Sequence, residues 1–129
     1  MKRFLALMLV LGLFSITLTA CKANKVRITE GHNGQVLPLN QGDLLSLSIE
    51  GNTSTGYIWE IEEVDSSVLA LKGEPDYRSS SRLTGAGGTY TFTFEAAAPG
   101  NTTLRLKYHR SFENDVPPIK TFTVTVTVE

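Results

Sequence analysis

Three short clusters hold most of the residues that could do chemistry in this chain: Asn52 to Tyr57 (NTSTGY), Gly85 to Gly88 (GAGG) and Arg110 to Phe112 (RSF). Around them, Ser54, His109 and Asp115 supply the residue types of a hydrolytic triad. No serine, however, stands in the glycine-flanked turn that exposes a nucleophile, and His109 stands where a strand passes into the third connection. His32 and His109 are the only histidines and lie on separate connections, so they form no ligand cluster with the single cysteine, Cys21. Neither catalysis nor a metal is expected, and no cofactor. The run Gly85-Ala86-Gly87-Gly88 would suit a phosphate only if it led into a helix, whereas it leads into TYTFTF, a strand pattern.

The first cluster is better suited to binding. Asn52, Thr53, Ser54, Thr55 and Gly56 offer amide, hydroxyl and backbone groups, and Tyr57 adds a rigid amphipathic ring, a mixture that also serves antibody loops. With no charge to desolvate, such a tip can enter another protein's cleft at low cost. In the third cluster, Arg110 and Phe112 are of types enriched among interface anchors, and Pro117-Pro118 stiffen the chain beyond them. Against these readings stands the plainer one, in which the clusters are polar turns.

The elements that must position these residues are strands. Apolar and polar residues alternate in LLSLSIE (Leu45, Leu47 and Ile49 inward), YIWEIE (Tyr57, Trp59 and Ile61), TYTFTFEA (Tyr90, Phe92 and Phe94), TLRLKYH (Leu104, Leu106 and Tyr108) and KTFTVTVTVE (Phe122, Val124, Val126 and Val128). No segment keeps a helical period. Strands are expected at 36–39, 44–50, 57–62, 77–82, 89–95, 102–109 and 119–128. Val68 to Leu71 is read as an irregular edge piece. The fold class is all-β, an immunoglobulin-like antiparallel β-sandwich of about seven strands. Because successive strands alternate in direction, the connections after the second, fourth and sixth share one end, which brings the three clusters together.

The N-terminus reads as an export signal. Lys2 and Arg3 precede the apolar run FLALMLVLGLFSI, and LTAC places small residues before Cys21, a pattern similar to a bacterial lipobox. The expected organisation is a signal peptide over 1–20, a lipidated tether over 21–25 with Cys21 as the lipidation site, and the domain over 26–129. The protein would then be exported and lipid-anchored to the bacterial cell envelope, on its periplasmic or cell-surface side. Loss of Lys2 and Arg3 with the signal leaves 10 basic against 13 acidic side chains, a net charge of -3. That balance is no nucleic-acid footprint. A monomer is expected.

Taken together, the three clusters resemble the chagasin-like inhibitors of papain-family cysteine proteases, a family marked by an NPTTGY-type loop, a GxGG loop and an RPW-type loop in this order. The resemblance implies an immunoglobulin-like fold and reversible, non-covalent inhibition of a papain-family partner. The first loop would enter the active-site cleft with Thr55 and Gly56 nearest the catalytic thiolate and Tyr57 bracing the loop. Gly85, Ala86, Gly87 and Gly88, together with Arg110, Ser111 and Phe112, would clasp the rims, Arg110 and Phe112 as anchors. Thr53 stands where the family has proline, and Ser111 and Phe112 where it has proline and tryptophan, so the tip is expected to be less stiff than the motif. The alternative is a cell-envelope binding module of the same fold that inhibits nothing.

Overall fold

The computed structural model describes residues 23–129, so the signal segment, Cys21 and the start of the tether lie outside the described residues. The described residues form nine strands: β1 (Lys25–Thr29), β2 (Val36–Leu39), β3 (Leu44–Gly51), β4 (Ile58–Glu63), β5 (Leu69–Leu71), β6 (Asp76–Ser79), β7 (Gly88–Ala96), β8 (Gly100–His109) and β9 (Lys120–Val128). Short 3-10 turns at Glu30–His32 and Thr53–Thr55 interrupt the pattern.

The strands form two sheets. One runs β1-β3-β7-β5, with β6 also paired to β7, and the other runs β2-β9-β8-β4. The residues that alternate in the sequence meet between them: Leu45, Leu47, Phe92 and Phe94 from one sheet and Leu104, Leu106, Phe122, Val124 and Val126 from the other are fully buried. Stacked sheets are about 10 Å apart, and facing side chains fill that gap. Deleting one such aromatic to alanine would cost about 3–5 kcal/mol. Trp59 on β4 packs against the ring of Tyr108, 4.9 Å away, and its indole N–H donates to the Glu50 carbonyl at 2.8 Å. The largest side chain of the core thereby also ties the end of β3 to β4.

The sandwich differs from the expected one in three ways. First, β1 is an additional strand that begins within the expected tether at Lys25; Ile28 from it is buried, and the strand pairs in parallel with β3. Secondly, β2 pairs in parallel with β9, so the sheets are mixed, although every other pairing is antiparallel. Both parallel pairs lie at sheet edges, where the chain passes from one sheet to the other through the Glu30–His32 turn. Thirdly, Leu69–Leu71 is a strand.

That third strand leaves the direction count intact. β5 pairs with β7 from Leu69↔Ala96 to Leu71↔Phe94, and β6 resumes the same alignment from Asp76↔Thr91 to Ser79↔Gly88. Four residues, Lys72 to Pro75, therefore face two on β7, and the surplus bulges outward through Gly73. β5 and β6 are thus one interrupted strand running in one direction. Strand directions alternate through the described residues, so the connections β3–β4, β6–β7 and β8–β9 fall at one end, joined there by β1–β2.

Candidate functional site

The connection between β3 and β4 is a capped turn. Asn52 is extended, and its side-chain oxygen accepts from the Ser54 N–H at 3.1 Å and the Ser54 hydroxyl at 2.6 Å. Its carbonyl accepts from the Thr55 hydroxyl at 2.7 Å and from the Thr55 N–H at 3.3 Å. Gly56 closes the turn in the left-handed region, φ 81°, with its N–H donating to the Thr53 carbonyl at 3.1 Å. Each residue type fits its place: Asn is among the best N-caps, Ser and Thr bond readily to nearby backbone, and Gly takes positive φ without a Cβ penalty.

The other two connections hold this turn from both sides. The Asn52 side chain donates to the Gly85 carbonyl at 3.0 Å, and the Asn52 N–H donates to the Tyr108 hydroxyl at 2.9 Å. Arg110 Nε donates to the Thr55 carbonyl at 3.0 Å, while the guanidinium lies 4.4 Å from the centre of the Tyr57 ring. Tyr57 in turn leans on Tyr108, with ring centres 5.3 Å apart. A Cβ built on Gly56 would sit 3.1 Å from the Phe112 ring, so Phe112 rests on the glycine itself. At the base of the second connection a Cβ on Gly88 would land on the Arg78 carbonyl and against Tyr77. A side chain there would push β6 away from β7.

Of the residues singled out from the sequence at this end of the sandwich, Asn52 meets Gly85, Thr55 and Tyr57 meet Arg110, and Gly56 meets Phe112, with one change of emphasis. Arg110 is engaged within the cluster, since besides Thr55 and Tyr57 it contacts Glu113 Oε1 at 2.9 Å. That carboxylate holds the guanidinium in its charged form more firmly still than usual. The pair balances its own charge, and the tip ahead of it carries none. Thr53, Ser54 and Thr55 are exposed, and Phe112 is 69% exposed despite its contact with Gly56.

Sequence reasoning missed Leu83, 79% exposed beside the GAGG segment, and Val116, exposed in the third connection. A lone large aliphatic residue among Ser, Thr and Gly was the available signal. The hydrolytic trio does not assemble: His109 turns to Glu60, 3.0 Å away on β4, and the Ser54 hydroxyl is directed to Asn52. Among the described residues no three His, Cys, Asp or Glu side chains are grouped to hold a metal.

Residues 38–126, which contain all three connections, match the model of the chagasin family of peptidase inhibitors, I42. The chain belongs to the chagasin family. It is 28% identical over 102 residues to chagasin of Trypanosoma cruzi, covering 76% of this chain and 93% of that protein. It is likewise 28% identical over 119 residues to amoebiasin-2 of Entamoeba histolytica, covering 89% and 94%. Among solved structures, the family member's fold is similar to that of the cysteine protease inhibitor EhICP2 of Entamoeba histolytica, with a TM-score of 0.74 at 24% identity over 83% of this chain and 97% of that one. It is also similar to PbICP-C, whose structure was determined in complex with falcipain-2, with a TM-score of 0.56 at 19% identity over 84% and 92%.

Proposed function

We propose that this family member is a reversible, non-covalent inhibitor of papain-family cysteine proteases, and that it acts by placing the Asn52–Tyr57 turn in the active-site cleft. The observation that carries the reading is that the exposed, uncharged turn is hydrogen-bonded to both neighbouring connections, through Asn52 to Gly85 and through Thr55 to Arg110. The tip is thus tied to the GAGG segment and to the Arg110–Phe112 segment before any partner arrives. Little loop entropy remains to be lost on binding.

A papain-type site holds a thiolate and an imidazolium. Thr55 and Gly56 at the apex bring backbone and hydroxyl groups to that pair without adding a charge to be buried. Phe112 and Leu83, exposed on either side, serve as apolar rim anchors, and Arg110 supports the apex from behind. The cysteine protease inhibitor EhICP2 and the falcipain-2 complex among the structural neighbours favour the same target class.

Cys21 supplies the anchor in this reading: lipidated there, the domain would stand on the periplasmic or cell-surface side of an envelope membrane. Replacing Cys21 with alanine should release the exported domain from the membrane fraction.

The test of inhibition is a titration of residues 22–129 against papain and a cathepsin L-type enzyme, monitored with a fluorogenic peptide. Inhibition relieved by raising the substrate concentration is expected. A folded domain that leaves several such enzymes fully active at micromolar concentration would instead favour the envelope binding module.

A further inference from the structure

A protease inhibitor that puts its own backbone into a cleft must avoid being cut there, and we infer that Asn52 is the residue that prevents it, by holding the tip as a capped turn that cannot be read as substrate. The inference rests on the inhibitory reading above and adds to it why the complex persists.

Peptides are hydrolysed in such clefts as extended segments, with the scissile carbonyl oxygen placed among the donors of an oxyanion hole. In the tip three of the carbonyl oxygens are already committed. The Asn52 carbonyl accepts from the Thr55 hydroxyl and N–H, the Thr53 carbonyl from the Gly56 N–H, and the Thr55 carbonyl from Arg110. To present any of these bonds to the thiolate, the turn must open and those contacts must break. Asn52 opposes that opening at several points, because its side-chain oxygen takes both polar hydrogens of Ser54 while its amide fastens the turn to Gly85. Its own N–H is held by Tyr108, a buried residue of β8. Asn52 is thus a positioning residue, and proline, which would stiffen the tip at position 53, is absent from it.

If the turn opens, ordinary proteolysis ensues. The thiolate attacks the carbonyl carbon, the C–N bond breaks with a proton passing from the imidazolium to the leaving amine, and water hydrolyses the thioester, so the clipped chain gains the mass of one water.

The experiment incubates papain with a modest excess of residues 22–129 as wild type, Asn52→Ala and Asn52→Ser, tracking enzyme activity and intact mass together. Serine restores an uncharged cap without the bond to Gly85. Wild type should stay intact. N52A should inhibit only transiently and be cut within 53–57 at least about tenfold faster than wild type, with its melting curve still cooperative, and N52S, which keeps the cap but not the bond to Gly85, should be cut more slowly than N52A. Should N52A melt below the assay temperature, Thr55→Val, which removes the hydroxyl bond at the far end of the turn, carries the same expectation. A folded N52A that inhibits and stays uncut overturns the role of the turn, as does N52S cut as fast as N52A or cleavage confined to other segments. A wild-type domain that does not inhibit papain overturns the inhibitory reading itself.

Discussion

Arg110 donates from Nε to the carbonyl of Thr55, 3.0 Å away and 55 residues earlier in the chain, and its guanidinium covers the face of Tyr57 at 4.4 Å. A side chain from the third connection thereby fixes both ends of the apex of the first. Stiffness that a proline could have supplied within the tip comes here from a neighbouring loop.

Arg110→Met keeps the aliphatic stem but removes the bond to Thr55 and the cation over Tyr57. It should weaken inhibition about tenfold, chiefly through a faster dissociation rate. Arg110→Lys should recover only part of the loss, because an ammonium lacks the planar fork that reaches Thr55 and Glu113 together. The check is the association and dissociation rate constants, measured separately for both variants against papain; a loss confined to association would mean that Arg110 steers encounter and does not hold the tip.

Gly56→Ala asks a different question. At φ 81° a side chain costs roughly 1–2 kcal/mol, and the new Cβ would crowd the Phe112 ring at 3.1 Å. Inhibition should fall about a hundredfold, while the strain lowers the melting temperature by only several degrees and leaves the transition cooperative. Phe112→Ala alone should also weaken inhibition, but the double variant should lose less than the sum of the two. Strict additivity would show that the ring and the glycine do not touch in solution.

Tyr90 tests the core beneath the loops. Its hydroxyl is buried without a hydrogen-bond partner among the described residues, and burial raises its pKa above the ordinary 10.0, with Tyr108 and Tyr77 adding to the shift. A raised value in the folded state means stability that is complete below the unfolded pKa and is lost as pH rises through the folded one. The domain should therefore lose stability above about pH 10. Tyr90→Phe should lessen that alkaline loss and be within about 0.5 kcal/mol of wild type at neutral pH. Thermal melts at about pH 7 and at about pH 10.5 to 11 decide both points.

At the acid end the relevant group is Asp65, whose carboxylate accepts from the Ser67 hydroxyl at 2.6 Å and the Ser67 N–H at 3.0 Å. These bonds hold its pKa below the ordinary 3.8. The depressed value makes a stabilising contribution that is present at neutral pH and lost as pH falls through the folded pKa. Ser67→Ala should lower the melting temperature slightly at about pH 7 and converge on wild type at about pH 2. Two melting curves that stay parallel down to that pH would assign the effect to something other than the carboxylate.

Much of this architecture could be read from side-chain alternation, and the exceptions have physical causes. Leu45, Leu47, Phe92, Phe94, Phe122 and Val124 alternate with polar residues and are buried as their spacing requires. β1 escaped because KVRIT offers only Val26 and Ile28 alternating with Lys25, Arg27 and Thr29, too short a pattern to separate from a tether. The parallel pairing of β1 with β3 and of β2 with β9 depends on which distant strand lies alongside, and periodicity within a strand carries no trace of that. β5 and β6 looked like separate fragments because the Lys72–Pro75 bulge breaks their alternation, although both align on β7.

At the loop end, residue types marked where the clusters lie. They did not reveal that Asn52 reaches Gly85, 33 residues away, or that Arg110 is committed to Thr55. Such contacts exist only once the strands have set the loops side by side. To the anchoring role expected of Arg110 the structure adds a bracing one, through its bonds to Thr55 and Glu113.

Inhibition by this route requires the Asn52–Tyr57 turn to sit over the protease's catalytic thiol, and the most direct measurement is the alkylation rate of that thiol by iodoacetamide. With papain saturated by residues 22–129, modification should slow at least about a hundredfold and regain the free-enzyme rate when Gly56→Arg replaces wild type. A saturated complex whose thiol is alkylated as fast as in the free enzyme would contradict this placement of the turn.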